Sequence, residues 1–255
     1  MTERLRCTHK TPVLDGQGRP EAGRWIDAGD ICLVGQMERN GCFPVVYPTR
    51  TGSRRAWVDS IDGFEPGWRI YNQNRYGHIA YPAPGYEKAT VRSSGCGVTA
   101  MAMAVENLVL GMLDPARCAS VALGCGARVS GGTDLQALGR RLCALYPMEM
   151  SCGASEETLR QTLDQGGIVV VNTGGSRGSW KGIFSTGGHY IVLLAREGDT
   201  YLAADPGLYA GKYDKKWRRD VAVEGELLRC GLDPIVKDSG NRYPPFYYFR
   251  RRENL

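Results

Sequence analysis

Long apolar stretches are missing from this chain of 255 residues. No apolar run approaches the ~18 residues that a membrane-spanning helix needs, so we expect no transmembrane segment. The first residues also lack the apolar centre of a signal peptide. We therefore expect a protein that is made in the cytoplasm without a signal peptide and that would need another route to leave the cell.

Closely spaced pairs of cysteines are missing as well, although the chain contains 9 cysteines. None of them forms a Cys-x-x-Cys pair, which argues against a cysteine-based zinc site. Their odd number argues against a complete disulfide framework. We expect reduced thiols, no bound metal and no cofactor.

A strong excess of one charge is also missing, because the formal net charge is only +5. Basic residues cluster at positions 54–55, 215–219 and 250–252. Such clusters usually form solvated surface, although they would suit an anionic partner. Since no nucleic-acid-binding motif accompanies them, we expect no nucleic-acid partner.

Between residues 11 and 64, short apolar runs alternate with turn signals such as Asp15-Gly16 and Asn40-Gly41. No helical period competes with this pattern, which predicts a small β barrel. The expected strands cover residues 12–14, 24–26, 31–34, 42–47 and 56–58. A Pro66-Gly67 turn then marks a change in composition, so we expect one domain at residues 1–66 and another at residues 67–255.

The second expected domain contains a cysteine at the predicted start of a helix. Ser94 or Gly95 can cap this helix, which places Cys96 beside unpaired backbone N–H groups and the positive end of the helix dipole. Both effects favour a thiolate. The apolar residues that follow recur at steps of three and four, and they predict one buried stripe: Val98, Met101, Ala102, Val105, Leu108, Val109 and Met112. The alternative is an inert, buried cysteine.

The pattern then changes from helices to a sheet, which predicts an α+β fold. Helices are expected after the Asp114-Pro115 start, after a capping box at residues 133–136 and from Ser155. The uninterrupted apolar run at residues 168–171 predicts a central strand. A long Gly- and Ser-rich loop at residues 173–188 leads to a hairpin at residues 189–204, and further strands are expected near residues 219–223 and 243–250.

This hairpin is expected to bring a histidine and an aspartate together. If Gly198 occupies the left-handed position of a three-residue turn, His189 faces Asp205 across the ladder. Opposed side chains on one face have Cβ atoms about 4.5 to 5.5 Å apart, so Asp205 could accept a hydrogen bond from the imidazole. Asn172 is the alternative partner if Asp205 points to the other face. His189 could also be an ordinary core histidine, with Asp205 in a simple turn.

Cys96, His189 and Asp205 have the chemistry of a cysteine peptidase. The cysteine would be the nucleophile, the histidine a general base and then acid, and the aspartate the residue that orients the histidine. His78 is a second candidate for the base, or for a wall of the cleft.

At these residues the chain resembles the papain-like cysteine peptidases, and most closely the group related to bacteriocin-leader peptidases. The matching segments are residues 94–103, 187–194 and 204–207, and the resemblance covers about residues 70–205. It implies a papain-like fold with a helical half and an antiparallel sheet. It also implies that Gln73 helps to form the oxyanion hole, with the Cys96 N–H as the second donor.

The residues expected to contact substrate are Ser94, Trp180, Gly187, Gly188 and His78.

The first domain resembles a bacterial SH3 domain in residues 29–34, 43–47 and 55–59. Such modules bind wall peptides or pack on a neighbouring catalytic domain, and both roles are open here.

Together the two resemblances imply an enzyme that hydrolyses peptide bonds of bacterial peptidoglycan, at the cell wall or outside the cell. We expect this enzyme to be a monomer. A phage or prophage lysin and a wall-remodelling enzyme both fit this description. One alternative is a peptidase or transpeptidase that acts on secreted or leader peptides. The other is a non-catalytic wall-binding or interaction protein on a peptidase fold.

Overall fold

The computed structural model describes residues 3–38 and 40–252. The fold contains helices and large antiparallel sheets, so the predicted α+β class is confirmed. The chain divides into two compact units. The first consists of Met1–Arg69 with the short segment Val109–Met112, and the second of Ile70–Leu108 with Leu113–Leu255.

The first unit is a seven-stranded antiparallel sheet with the order β3-β2-β6-β5-β4-β1-β7. Its strands are β1 (Glu3–Cys7), β2 (Thr11–Leu14), β3 (Pro20–Ile26), β4 (Ile31–Val34), β5 (Phe43–Thr49), β6 (Gly52–Val58) and β7 (Phe64–Pro66). Buried side chains such as Cys7, Val13, Ile26, Val45 and Val58 form its core. All five predicted strands therefore exist, because their apolar runs supply this core.

Two expectations for the first unit are wrong. The turn at Pro66-Gly67 leads us to expect a short linker at residues 64–67, but residues 64–66 form β7, which pairs with β1 through Leu5 and Pro66. Strand β1 carries only two buried apolar residues among charged ones, so its sequence signal is weak. Among the described residues no ladder joins β3 to β7, and the sheet is an open half-barrel instead of a closed barrel.

The second unit begins with helices. They are α1 (Val91–Ser94), α2 (Cys96–Val109), α3 (Pro115–Gly124), α4 (Leu135–Leu145), α5 (Glu156–Asp164) and, later in the chain, α6 (Leu232–Ser239). Asp114 caps α3 and Ser155 caps α5, as their sequences predict. The cap of α4 is Asp134, which accepts from the N–H of Ala137, so the expected capping box at residues 133–136 is wrong.

Helix α2 is buried on every side, and the prediction of a single buried stripe is therefore wrong. Every residue from position 97 to 109 is buried. Its many small side chains allow neighbours to approach from all directions. The Asn107 amide donates to the carbonyl oxygen of Met103 at 2.8 Å. Met112, expected in the stripe, follows the helix and has a positive φ of 54°.

A seven-stranded antiparallel sheet forms the rest of the second unit, in the order β10-β16-β11-β12-β13-β15-β14. Its strands are β10 (Met148–Gly153), β11 (Ile168–Thr173), β12 (His189–Glu197), β13 (Thr200–Ala204), β14 (Val221–Glu224), β15 (Leu227–Cys230) and β16 (Phe246–Arg251). A two-stranded hairpin, β8 (Arg128–Val129) and β9 (Gly132–Thr133), lies apart from it. The central position of β11 confirms the prediction from its apolar run.

The register of the β12–β13 hairpin differs from the prediction. Glu197 pairs with Thr200, so the turn has two residues. Gly198 opens this turn with a positive φ of 59°, which is typical of a type II′ turn. A β-bulge in β12 then shifts the register again. The expected ladder pairing of His189 with Asp205 is therefore wrong, although the same end of the hairpin carries both residues.

None of the helices among the described residues combines the length and apolar character needed to cross a membrane.

Candidate active site

Two glycines hold the cysteine at the first residue of α2. A Cβ atom on Gly95 would collide with the carbonyl oxygen of Val91, and one on Gly97 would lie 2.7 Å from the Cβ of Thr133. Real Cβ atoms do not approach other atoms so closely, so both positions require glycine. The Cys96 side chain is half-buried at the point where α1 ends and α2 begins.

The surroundings of Cys96 favour its thiolate. Burial opposes ionisation, but hydrogen bonds from His189 and from the backbone N–H groups of Tyr190 and Gly97, with the charge of His189, lower the pKa of the thiol below its ordinary value. By contrast, burial raises the pKa of the Cys118 and Cys230 thiols above its ordinary value.

All nine cysteines are free.

The first residue of β12 is His189, which is almost completely buried. Its Nε2 donates to Oδ1 of Asp205 at 2.7 Å, which leaves Nδ1 for the contact with Cys96. Burial opposes the charge on the ring, but the attraction of Asp205 and the bonds to Asp205 and Cys96 outweigh it and raise the pKa of His189 to about 9. The imidazolium is therefore the stable form at neutral pH.

The carboxylate of Asp205 is buried and fully hydrogen-bonded. Its Oδ1 accepts from His189 and from the N–H of Gly207 at 2.8 Å. Its Oδ2 accepts from Nζ of Lys212 at 2.5 Å and from the hydroxyl of Tyr213 at 2.7 Å. Burial alone would raise the pKa of Asp205, but His189 and Lys212 together hold it well below its ordinary range. The expected hydrogen bond between the imidazole of His189 and Asp205 is confirmed.

Sequence reasoning missed Lys212 and Tyr213, which are only 6% and 5% exposed. They lie in a stretch of Gly, Tyr and Lys that resembles an ordinary surface loop. An ionised lysine is rarely buried without a partner, and only the fold shows that Asp205 supplies one.

Gln73 connects the start of the helical half with the Asp205 turn. It is buried in a short 3-10 helix, and its backbone N–H donates to the carbonyl oxygen of Pro206 at 2.7 Å. Its side-chain Nε2 donates to the carbonyl oxygen of Arg92 at 2.8 Å. An amide nitrogen carries two protons, so this bond engages only one of them. The structure therefore brings Gln73 to the turn that carries Asp205.

Trp180 is held by the protein itself. Its indole N–H donates to Oδ1 of Asp238 at 2.9 Å, and its ring packs against the core of the sheet. The same buried carboxylate also accepts the N–H groups of Ile183 and Phe184. These contacts fix Trp180 and the 173–188 loop, and the contact of Trp180 with substrate stays a prediction.

The other expected substrate contacts are exposed or half-buried. Gly187 and Gly188 are exposed immediately before His189, and Ser94 is half-buried two residues before Cys96. His78 is exposed and stacks on Tyr76, with 6.4 Å between ring centroids. The thiol of Cys96 contacts His189 and not His78.

Asn172 is not the partner of His189, because Asp205 occupies that position. Its side-chain amide instead donates to the carbonyl oxygen of Pro244.

Within residues 3–38 and 40–252, no group of three or more His, Cys, Asp or Glu side chains is placed to hold a metal ion.

No protein-family model matches this sequence, and no curated protein sequence matches it.

Cys96 and His189 form a charged pair, and the carboxylate of Asp205 lies on the other side of the imidazole. A thiol with a lowered pKa beside an imidazole with a raised pKa favours the thiolate and imidazolium forms together. Such a pair can attack a carbonyl carbon and then donate a proton to the group that leaves.

Proposed function

We propose that this chain is a cysteine peptidase whose catalytic residues are Cys96, His189 and Asp205. One observation carries the proposal: His189 contacts the thiol of Cys96 on one side and the buried Asp205 on the other. This arrangement provides a nucleophile, a proton donor and the residue that orients it.

The acylation step begins with attack of the Cys96 thiolate on the carbonyl carbon of a peptide bond. The C=O electron pair moves to oxygen and gives a tetrahedral oxyanion, for which the Gln73 side chain and the Cys96 N–H are the proposed donors. The C=O bond then re-forms as the C–N bond breaks, and the proton on Nδ1 of His189 passes to the departing nitrogen. The products are a thioester and a free amine.

The deacylation step returns the site to its starting form. Neutral His189 takes a proton from water, and the resulting hydroxide adds to the thioester carbon. The C–S bond breaks, which releases a carboxylic acid and restores the thiolate beside the imidazolium. Since this cycle needs a proton on His189, whose pKa is raised to about 9, we infer that turnover falls as the pH rises through that value.

The papain-like fold and the SH3-like first unit belong to the same proposal. Helix α2 carries the nucleophile at its first residue, and an antiparallel sheet carries the histidine. The open seven-stranded sheet of the first unit is consistent with an SH3-like module.

The proposed substrate is the peptide of bacterial peptidoglycan. A cationic surface supports this proposal, because it fits an anionic polymer of the cell wall. Lys181, Lys216 and Arg219 line a cavity of about 380 Å³ with Trp217 and Asp220. Among the described residues, none of these three cations has an ion-pair partner, and Nζ of Lys181 lies 4.9 Å from the Trp217 ring. Unpaired cations beside an exposed aromatic ring fit an anionic polymer that carries sugar rings.

Reversal of this charge is expected to weaken action on intact walls. The Lys216→Glu/Arg219→Glu variant should digest walls about tenfold more slowly at low salt and cleave a small peptide at the unchanged rate, because attraction to a polyanion is lost. Arg140→Glu/Arg141→Glu makes the same change of charge on exposed α4 residues and is the matched control. Equal loss in both variants, or no loss in either, would contradict a role for this surface.

The substrate is tested directly by incubating purified protein with peptidoglycan and analysing the released fragments by mass spectrometry. We expect each cut to add one water and to leave a new amine and a new carboxyl group within the stem or cross-bridge peptides. The Cys96→Ala protein is the blank. Cleavage of unstructured secreted peptides with intact peptidoglycan would favour the leader-peptide alternative, and wall binding without any cleavage would favour the non-catalytic one.

A further inference from the structure

The two carboxylate oxygens of Asp205 accept hydrogen bonds from different partners. Oδ1 faces His189, whereas Oδ2 faces the ammonium of Lys212 at 2.5 Å and the hydroxyl of Tyr213 at 2.7 Å. Both partners of Oδ2 are almost completely buried. A hydrogen-bonded ion pair in such a place interacts more strongly than one on the surface.

We propose that Lys212 and Tyr213 are positioning residues that act on His189 through Asp205, and that the Lys212 charge limits how strongly Asp205 holds the proton of His189. This proposal rests on the proposed peptidase function.

The contacts around Lys212 show that it is fixed. Its Nζ also donates to the carbonyl oxygen of Gly207 at 3.3 Å, and its own carbonyl oxygen accepts from Nη1 of the buried Arg218 at 2.8 Å. Tyr213 packs edge-on against Phe184, with 6.4 Å between ring centroids. Rotation of the Asp205 carboxylate would break both bonds to Oδ2, so these two side chains hold Oδ1 towards His189.

The positive charge of Lys212 and the negative charge of Asp205 have opposite effects on the pKa of His189. The charged or titratable groups that face His189 are Cys96 from α2, Asp205 after β13, and Lys212 and Tyr213 behind Asp205, while Arg242 lies beside Gly188. A positive charge on the far oxygen weakens the attraction between the carboxylate and the imidazolium. Loss of that charge should therefore raise the pKa of His189 and make it a weaker proton donor.

The test is an NMR titration of the full-length protein labelled with ¹⁵N-histidine. The chain has only three histidines, so His9 and His78 serve as internal references. The variants are Lys212→Met, which removes the charge and the donor, Lys212→Gln, which removes the charge and keeps a donor, and Tyr213→Phe. Tyr201→Phe is the matched control, because it removes a buried hydroxyl from the same core cluster.

We expect the titration of His189 to move upwards by about one pH unit in both Lys212 variants and by less in Tyr213→Phe. Tyr201→Phe should leave it unchanged. The kcat of Lys212→Met should fall at least about tenfold at unchanged KM, with partial recovery in Lys212→Gln, because an amide N–H can still hold the carboxylate.

An unchanged His189 titration in folded Lys212→Gln and Tyr213→Phe would overturn the proposal, even if their stability falls. Failure of the peptidase function itself gives a different result. Wild-type protein would then cleave no peptide, while the titration, which needs no substrate, still decides whether Lys212 and Tyr213 act on His189.

Discussion

Replacement of Cys96 with Ala is expected to abolish peptide hydrolysis and to leave the fold almost unchanged. The sulfur is the proposed nucleophile, so we expect the rate to fall by a factor of about 10⁴ or more. The side chain is half-buried at a helix start, and its removal leaves little empty space in the core. Turnover of peptidoglycan peptides and the thermal unfolding midpoint measure the two effects.

Cys152 supplies the matched control, because it is the exposed cysteine of the chain. Cys152→Ala should keep the wild-type rate. Iodoacetamide should nevertheless modify Cys96 before Cys152, because alkylation follows the thiolate fraction and not exposure alone. A wild-type rate in Cys96→Ala, or faster labelling of Cys152, would disprove the assignment of the nucleophile.

The sequence predicts the three proposed catalytic residues because each lies where a strong local signal ends. Cys96 follows a glycine and precedes an apolar helix, and His189 and Asp205 lie at one end of a hairpin. The contact between His189 and Asp205 exists although the predicted register is wrong. Asp205 lies just beyond the end of β13, so its side chain reaches the histidine without a ladder pair.

Other features depend on contacts that are distant in the chain. The burial of α2 on all sides depends on neighbours that are distant in the chain, and no sequence periodicity reveals them. The pattern of its small residues fits a helix with one apolar face equally well. The sequence does not predict the ion pair between Lys212 and Asp205 either, because a lysine in a polar, glycine-containing loop normally faces water. Strands β10 and β15 and helix α6 were not predicted, since each is short and mixes charged with apolar residues.

Replacement of Asp205 with Ala is expected to have the second large effect, on both activity and stability. His189 loses the acceptor that fixes its ring, and the buried Lys212 loses its counter-charge. Removal of one partner from a buried ion pair typically costs about 3 to 5 kcal/mol. We therefore expect a fall of roughly 10 °C in the unfolding midpoint as well as loss of turnover, measured by calorimetry and by peptide hydrolysis.

Asn is not a mild replacement at this position. Its carbonyl oxygen can still accept from His189 and Gly207, but its NH₂ group would point at the ammonium of Lys212 and the hydroxyl of Tyr213. We expect Asp205→Asn to keep more activity than Asp205→Ala and still to lose stability. Because the pKa of Asp205 is depressed in the folded protein, its carboxylate stabilises the fold at pH values above the ordinary pKa of 3.8, and this stabilisation is lost as the pH falls below that value. The difference in stability between wild type and Asp205→Asn should therefore narrow in acid.

The double variant Asp205→Asn/Lys212→Met separates the two roles of the carboxylate. Removal of the buried ammonium together with its partner should recover most of the stability that Asp205→Asn loses, because no uncompensated charge is then left. Activity should not recover to the same extent, since the imidazolium still lacks the negative charge of Asp205. Recovery of turnover in parallel with the unfolding midpoint would mean that Asp205 contributes to stability alone, and the proposed triad would then reduce to Cys96 and His189.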